Sequence, residues 1–203
     1  MTKGSMAGLG CLAIIVIAVV IIGLSAWGTY NSLIAEQQTV ESKWAQVENV
    51  YQRRADLIPN LVATVKGYAS HESDVLEAVT ASRSQVGSVR VTPDILNNPA
   101  EFEKFQQAQA GLTSALSRLM VVVERYPDLK ANQNFLELQS QLEGTENRIT
   151  VERMRFNDAA QSYNTKILQF PSNIYARLFG FKTKAYFQSA PGSEKAPVVD
   201  FTR

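Results

Sequence analysis

The chain has 203 residues, with 20 Lys and Arg against 19 Asp and Glu, and a formal net charge of +1. That balance, with no basic block or stripe, excludes a surface built to track nucleic-acid phosphates, and nine Phe, seven Tyr and two Trp argue against disorder. One Cys and one His exclude an internal disulfide, a thiolate metal site in the domain and any zinc site built on paired histidines.

Residues 1–8 form a short N-terminal segment. Residues 9–27 (LGCLAIIVIAVVIIGLSAW) carry no charge. As a helix they span about 28 Å, close to the hydrocarbon thickness of a bilayer. Trp27 and Tyr30 stand where interfacial aromatics belong. The run is too long for a signal-peptide core, and a helical pattern follows it at once, so a retained single-pass transmembrane helix is predicted. Cys11 precedes most of the apolar run, which is the wrong order for a lipoprotein signal. Lys3 and the amino terminus precede the helix, whereas Lys43 follows it beside Glu36 and Glu41. The positive-inside rule then leans toward a cytoplasmic N-terminus and an exported domain in the cell membrane.

From Tyr30 the residues Leu33, Val40, Trp44, Val47, Tyr51, Ile58, Leu61, Val65 and Tyr68 recur at steps of three and four, with Gln37 and Arg54 at the two missing steps. This is the seam of a helix packed in a bundle. Pro59 falls inside it, and because the phase runs on unchanged, the pattern predicts one long helix kinked there and ending near residues 67–70. A hairpin at Leu57-Ile58 is the alternative. A second helix is predicted from a Ser70 or Ser73 cap to about Gly87, with Val75, Val79 and Val86 inward. Residues 87–99 read as a loop. A third helix over about 100–125 carries Phe102, Phe105, Ala108, Leu112, Leu116 and Leu119, and Pro127 stops it. A fourth, over about 131–169, has Phe135, Leu138, Leu142, Ile149, Phe156, Ala159, Tyr163, Ile167 and Phe170 as its seam, interrupted by Thr145 and Glu152. The fold class is therefore all-α: the transmembrane helix is continuous with an antiparallel four-helix bundle over residues 28–187. Residues 188–203 have the Pro/Gly/Ser bias of a disordered tail.

Four constellations carry polar chemistry. His71-Glu72-Ser73-Asp74 lacks the second histidine of a zinc helix, and helix-start chemistry accounts for it better. Arg53, Arg54, Asp56 and Asn60 flank Pro59, where they would either meet a partner's carboxylate or satisfy carbonyls freed by the proline. Glu143, Glu146, Asn147 and Arg148 form a second polar belt, read as an inter-helix layer that fixes register or as a partner site. A bundle carboxylate metal site needs Glu-x-x-His on facing helices, which the sequence lacks, so no metal, cofactor or catalytic residue is expected. The segment over 174–187 is aromatic and basic. In an up-down-up-down bundle it returns to the anchored end, so Ile174, Tyr175, Leu178, Phe179 and Phe181 are candidates for membrane contact, with a lid packed under the bundle as the alternative.

These residues resemble the LemA family of bacterial membrane proteins. The resemblance covers about residues 28–187 and is carried by YNSLIAEQQTVESKWAQVENVYQRRADLIPNLVATVKGYASHE, NQNFLELQSQLEGTENRI and FNDAAQSYNTKILQFPSNIYARLFGF. It implies a membrane helix, a four-helix domain and no known enzymatic activity, with relatives linked to envelope and magnetosome-membrane organisation. Ala55 departs from the pattern, since many relatives carry His there, which weakens a family-wide histidine site. The function expected is a membrane-anchored, non-enzymatic structural or interaction protein of the bacterial envelope. Its partners would be the bilayer, other membrane proteins or further copies of itself, with no nucleic acid and no small-molecule substrate. The alternative is a membrane- or stress-sensing regulator, with the Pro59 kink as hinge and the aromatic membrane-proximal segment as lipid contact; an enzyme ranks last, for want of a nucleophile, base and orienter in one arrangement.

Overall fold

The computed structural model describes residues 3–89 and 93–188, with side chains from Leu12 onward except at Pro93. Residues 1–2, the middle of the expected 87–99 loop and the expected disordered tail from 189 lie outside the described residues. All regular structure among the described residues is helical: α1 (Lys3–Tyr68), α2 (Ser73–Ser88), a 3-10 turn (Pro93–Asn97), α3 (Pro99–Val123), α4 (Pro127–Lys130), α5 (Gln133–Leu168) and α6 (Ser172–Phe179).

One helix, α1, changes character along its length. Its 66 residues extend about 99 Å. From Leu12 to Leu24 its large side chains are exposed to every side. From Leu33 the same helix buries Val40, Trp44, Val47, Tyr51, Ile58, Leu61 and Val65 along a single stripe. A stretch apolar all round suits lipid, and a stretch apolar on one stripe suits a bundle core.

The α5 helix runs antiparallel to α1. Lys166 pairs with Ser32 and with Glu36, Arg54 with Glu146, and Asn132 donates to Tyr68 Oη at 2.9 Å. Glu72, at the start of α2, meets Arg125 and Tyr126 past the end of α3, so α2 and α3 are also antiparallel. The helices therefore run up, down, up, down, with α6 back beside Tyr30 at the anchored end.

Several local expectations shift. Ser73 is the first helical residue of α2 and not its cap; no side chain caps that helix. Its preceding residue, Glu72, is committed to Arg125 and Tyr126, so a tertiary partner replaces the local one. The inward face of α2 centres on Leu76 and Val79, while Val75 and Val86 pack only at its margin. The expected loop over 87–99 holds a 3-10 turn whose Ile95 and Leu96 are buried. Asn98 then caps α3, accepting from the backbone N–H groups of Ala100 and Glu101. Asn132 caps α5 in the same way through Phe135 N–H at 3.0 Å, so the helix starts at Gln133, two residues beyond the expected start. It ends at Leu168, and Phe170, expected on its seam, falls past the last turn and is 81% exposed.

Pro59 does not break α1; the hairpin alternative is not what the chain adopts. A proline at 59 cannot donate to the carbonyl four residues earlier, which is that of Ala55. Arg83 of α2 supplies the missing donor, its Nε lying 2.9 Å from Ala55 O. The neighbouring Arg53 and Asp56 stay exposed, and Arg54 is engaged elsewhere, so none of the three does this work. Arg83→Ala should cost about 1–2 kcal/mol, the scale of a charge-assisted hydrogen bond. In a Pro59→Ala background the restored N–H takes over, and the same change should cost less by about 1 kcal/mol. Urea denaturation of the four proteins in detergent micelles measures that coupling, and strict additivity would refute it.

Candidate functional site

Two apolar clusters stack along the bundle. The membrane-proximal one centres on Trp44, Phe102, Phe105, Phe156 and Phe187; the distal one on Ile58, Leu61, Leu112, Leu119 and Phe135. Between them lies a polar layer. Arg54, 1% exposed, donates from Nη1 to Glu146 Oε1 at 2.7 Å and to Thr113 Oγ1 at 3.0 Å. Its Nη2 reaches the Gln109 side-chain oxygen and, at 3.4 Å, the Gln109 carbonyl. The guanidinium lies 5.1 Å from the Tyr51 ring centre. Buried Thr145 completes the layer, donating to Gln141 O at 2.7 Å. One guanidinium thus ties α1, α3 and α5 together at one level.

Of the eight polar residues singled out from sequence, the structure brings only Arg54 and Glu146 together. Arg53, Asp56, Asn60, Glu143, Asn147 and Arg148 are exposed. Asp56 accepts from Gln52 and Glu143 from Gln139, both on their own helices. Glu143, Glu146 and Asn147 line a shallow groove between α3 and α5, whereas Asn60 borders a separate one between α1 and α5. Gln109 and Thr113 were missed. The available signal was Gln109 itself, a buried polar residue four after Phe105 and three before Leu112 on the apolar stripe of α3.

A second arrangement has no counterpart in the sequence reading. After α6 the chain turns at Gly180, whose φ of 77° suits a residue without Cβ. Residues 181–188 then run without regular structure back along α5. Asn164 binds both backbone groups of Lys184, donating to its carbonyl at 2.9 Å and accepting from its N–H at 2.8 Å. Asn157 does the same for Phe187, at 3.0 and 2.9 Å. Seven residues of helix and three of extended chain both advance about 10 Å, so two asparagines one heptad apart match two residues of the strap. Arg153 and Gln106 hold the Gln188 backbone.

The strap places Phe187 in the proximal core, 4.9 Å from Phe102 and 5.5 Å from Phe156 between ring centres. It also buries Lys184, whose Nζ donates to Asn97 Oδ1 at 2.7 Å and lies 5.6 Å from the Tyr163 ring. Burial lowers the Lys184 pKa, with Glu41 and Asp94 opposing the shift. Burial also pushes the Tyr163 hydroxyl up to about 12, helped by Glu41. Lys184 and Phe187 are therefore packed inside, not turned to a membrane. Ile174, Leu178 and Phe179 are exposed, and Tyr175 and Phe181 are half-buried. Tyr30 meets Phe179 and Phe181 edge-on, at 5.0 and 5.8 Å.

Among the described residues no cluster of three His, Cys, Asp or Glu side chains is placed to hold a metal ion. The family model described as the LemA family matches residues 43–201. The chain belongs to the LemA family. Among LemA-related proteins, Magnetosome protein MamQ 2 of Paramagnetospirillum magneticum is 30% identical, across 84% of this chain and 68% of that protein. Magnetosome protein MamQ of Magnetospirillum gryphiswaldense is 26% identical, across 93% and 75%. Protein LemA of Metamycoplasma hominis is 24% identical, across 80% and 70%. None of these three names denotes an enzyme. The LemA match begins at Lys43, one residue before Trp44, and so takes in the aromatic cluster, the polar layer and the strap.

Proposed function

We propose that this LemA-family chain is a single-pass, non-enzymatic interaction protein of the bacterial cell membrane, its bundle held at a set height above the lipid. The observation that carries this reading is the unbroken course of α1 from the exposed apolar stretch into the buried seam. A helix is stiff where a linker is not, so the bundle cannot wander from the bilayer. The surface so presented would engage another membrane protein or a further copy of this chain. The charge asymmetry around the anchor favours the exported side for the bundle. The regulator hinged at Pro59 is less well supported, because Arg83 closes the gap that the proline leaves.

Photo-crosslinkers placed at exposed Val121 and Met154 in the full chain, in native membranes, test the reading. The expected result is a discrete adduct, to a second copy or to one membrane protein, from at least one position. Monomer alone from both positions, in a chain shown to be membrane-inserted, would overturn it.

A further inference from the structure

The end of α5 and the whole of α6 leave an unusual amount of apolar surface uncovered. Leu168 is 67% exposed, Phe170 81%, Ile174 56%, Leu178 74% and Phe179 45%. Large side chains that exposed and that close together mark a surface with an occupant.

Three observations on the page say which occupant. The first is height. Phe179 contacts Tyr30, and Tyr30 lies three helical residues, about 4.5 Å, beyond Trp27 at the end of the apolar run. The polar layer of a bilayer is about 5–7 Å deep on each side, so Tyr30 and what touches it lie within that layer. The second is continuity. Trp27 is itself 69% exposed, and the exposed surface of α1 runs from there to the rings of α6 through Tyr30. The third is charge. No Asp or Glu occurs in residues 1–35 or 159–188. Among the described residues Arg177 and Lys182 are exposed in this region, Lys166 is already paired with Glu36, and the acids towards this end are half-buried Glu36 and Glu41 and exposed Asp94, near Lys184.

We infer that residues 168–179 form a foot that lies in the headgroup layer of the same membrane that α1 crosses. Its apolar side chains enter the upper acyl region, and Arg177 and Lys182 meet anionic headgroups. A helix anchored at one point is free to tilt and spin; the foot adds a second point of contact and fixes both. The foot rests on the membrane-spanning reading of α1, and its test separates the two.

The full chain, with Cys11→Ser and one new cysteine at a time, is labelled with bimane in vesicles of equimolar phosphatidylcholine and phosphatidylglycerol carrying a headgroup nitroxide. Leu178→Cys and Phe170→Cys probe the foot, Val19→Cys the membrane span, and Val121→Cys the far end of the bundle. Quenching at the two foot positions is expected to exceed that at Val121 by roughly twofold or more, as for an interfacial helix. Quenching at 178 and 170 no greater than at 121 overturns the foot. If an acyl-chain bromine also fails to quench Val19, the anchor itself is wrong. Disulfide dimers through Leu178→Cys, without quenching, would assign the surface to a second copy and likewise overturn the lipid contact.

Discussion

Trp44→Ala should lower the stability of the bundle by about 3–5 kcal/mol, the range for removing a large buried aromatic. The ring is 3% exposed and sits at the centre of a cluster drawn from three separate parts of the chain. Its centre lies 5.7 Å from Phe102 and 5.4 Å from Phe105 on α3, 5.4 Å from Phe156 on α5, and 6.0 Å from Phe187 on the strap. No neighbour is free to collapse into the space, because each is held by its own helix or by the asparagine clamp. The damage should also spread to the strap, since Phe187 would lose one wall of its pocket. Trp44→Phe keeps most of the contacts and should cost about half as much or less. Denaturant midpoints in detergent check both values. A loss under about 1 kcal/mol for the alanine variant would mean that the cluster does not hold the core together.

The polar layer gives the second large effect, and its sign of asymmetry is the informative part. Glu146→Ala leaves Arg54 buried with only Gln109 and Thr113 as acceptors, and should cost about 3 kcal/mol. Arg54→Met removes the buried charge itself. The remaining carboxylate, on a side chain 37% exposed, can turn to water. That variant should cost about 1–2 kcal/mol, mainly for Gln109 left without its donor. Adding Arg54→Met to Glu146→Ala should therefore recover stability, although each change alone loses it. The four denaturation curves decide it: if Arg54→Met is the more harmful single change, water reaches the guanidinium and the layer is not a dry one. The layer separates the proximal from the distal core, so the recovered double variant is also the place to look for altered register or self-association.

The family relationship was legible from the run RRADLIPNLVATVKGYASHE, and the seam of α1 was legible from periodicity alone. Within that seam Arg54 stood out as a charge at a core position, and it is the residue around which the polar layer forms. Its partners were only half legible. Glu146 lay in a belt of four polar residues on one helix, and rotation about the helix axis decides which of them faces in. Arg83 could not be matched to Ala55 from sequence, because a backbone carbonyl leaves no mark in the side-chain pattern.

The strap shows the same limit. Asn157 and Asn164 stand seven apart on α5, one of them buried, yet polar residues at heptad spacing also describe an ordinary solvated face. Residues 181–188 have neither helical nor strand periodicity, since their hydrogen bonds go to side chains and not to a ladder. The aromatic and basic composition of that region fitted either membrane contact or a lid packed under the bundle, and did not divide the segment between them. In the folded chain it divides at Gly180: α6 keeps its apolar face outside, and the strap turns Lys184 and Phe187 inward.

The sequence by itself determined the long first helix with its apolar and its striped stretch, the up-and-down order of the long helices and the positions that could be core, because these follow from hydropathy and spacing along one chain. Only the tertiary structure decided which polar groups meet, what replaces the hydrogen bond missing at Pro59, and which half of the C-terminal aromatics is buried. Those outcomes depend on distances between residues tens of positions apart, where local propensity carries no information and packing has the final say.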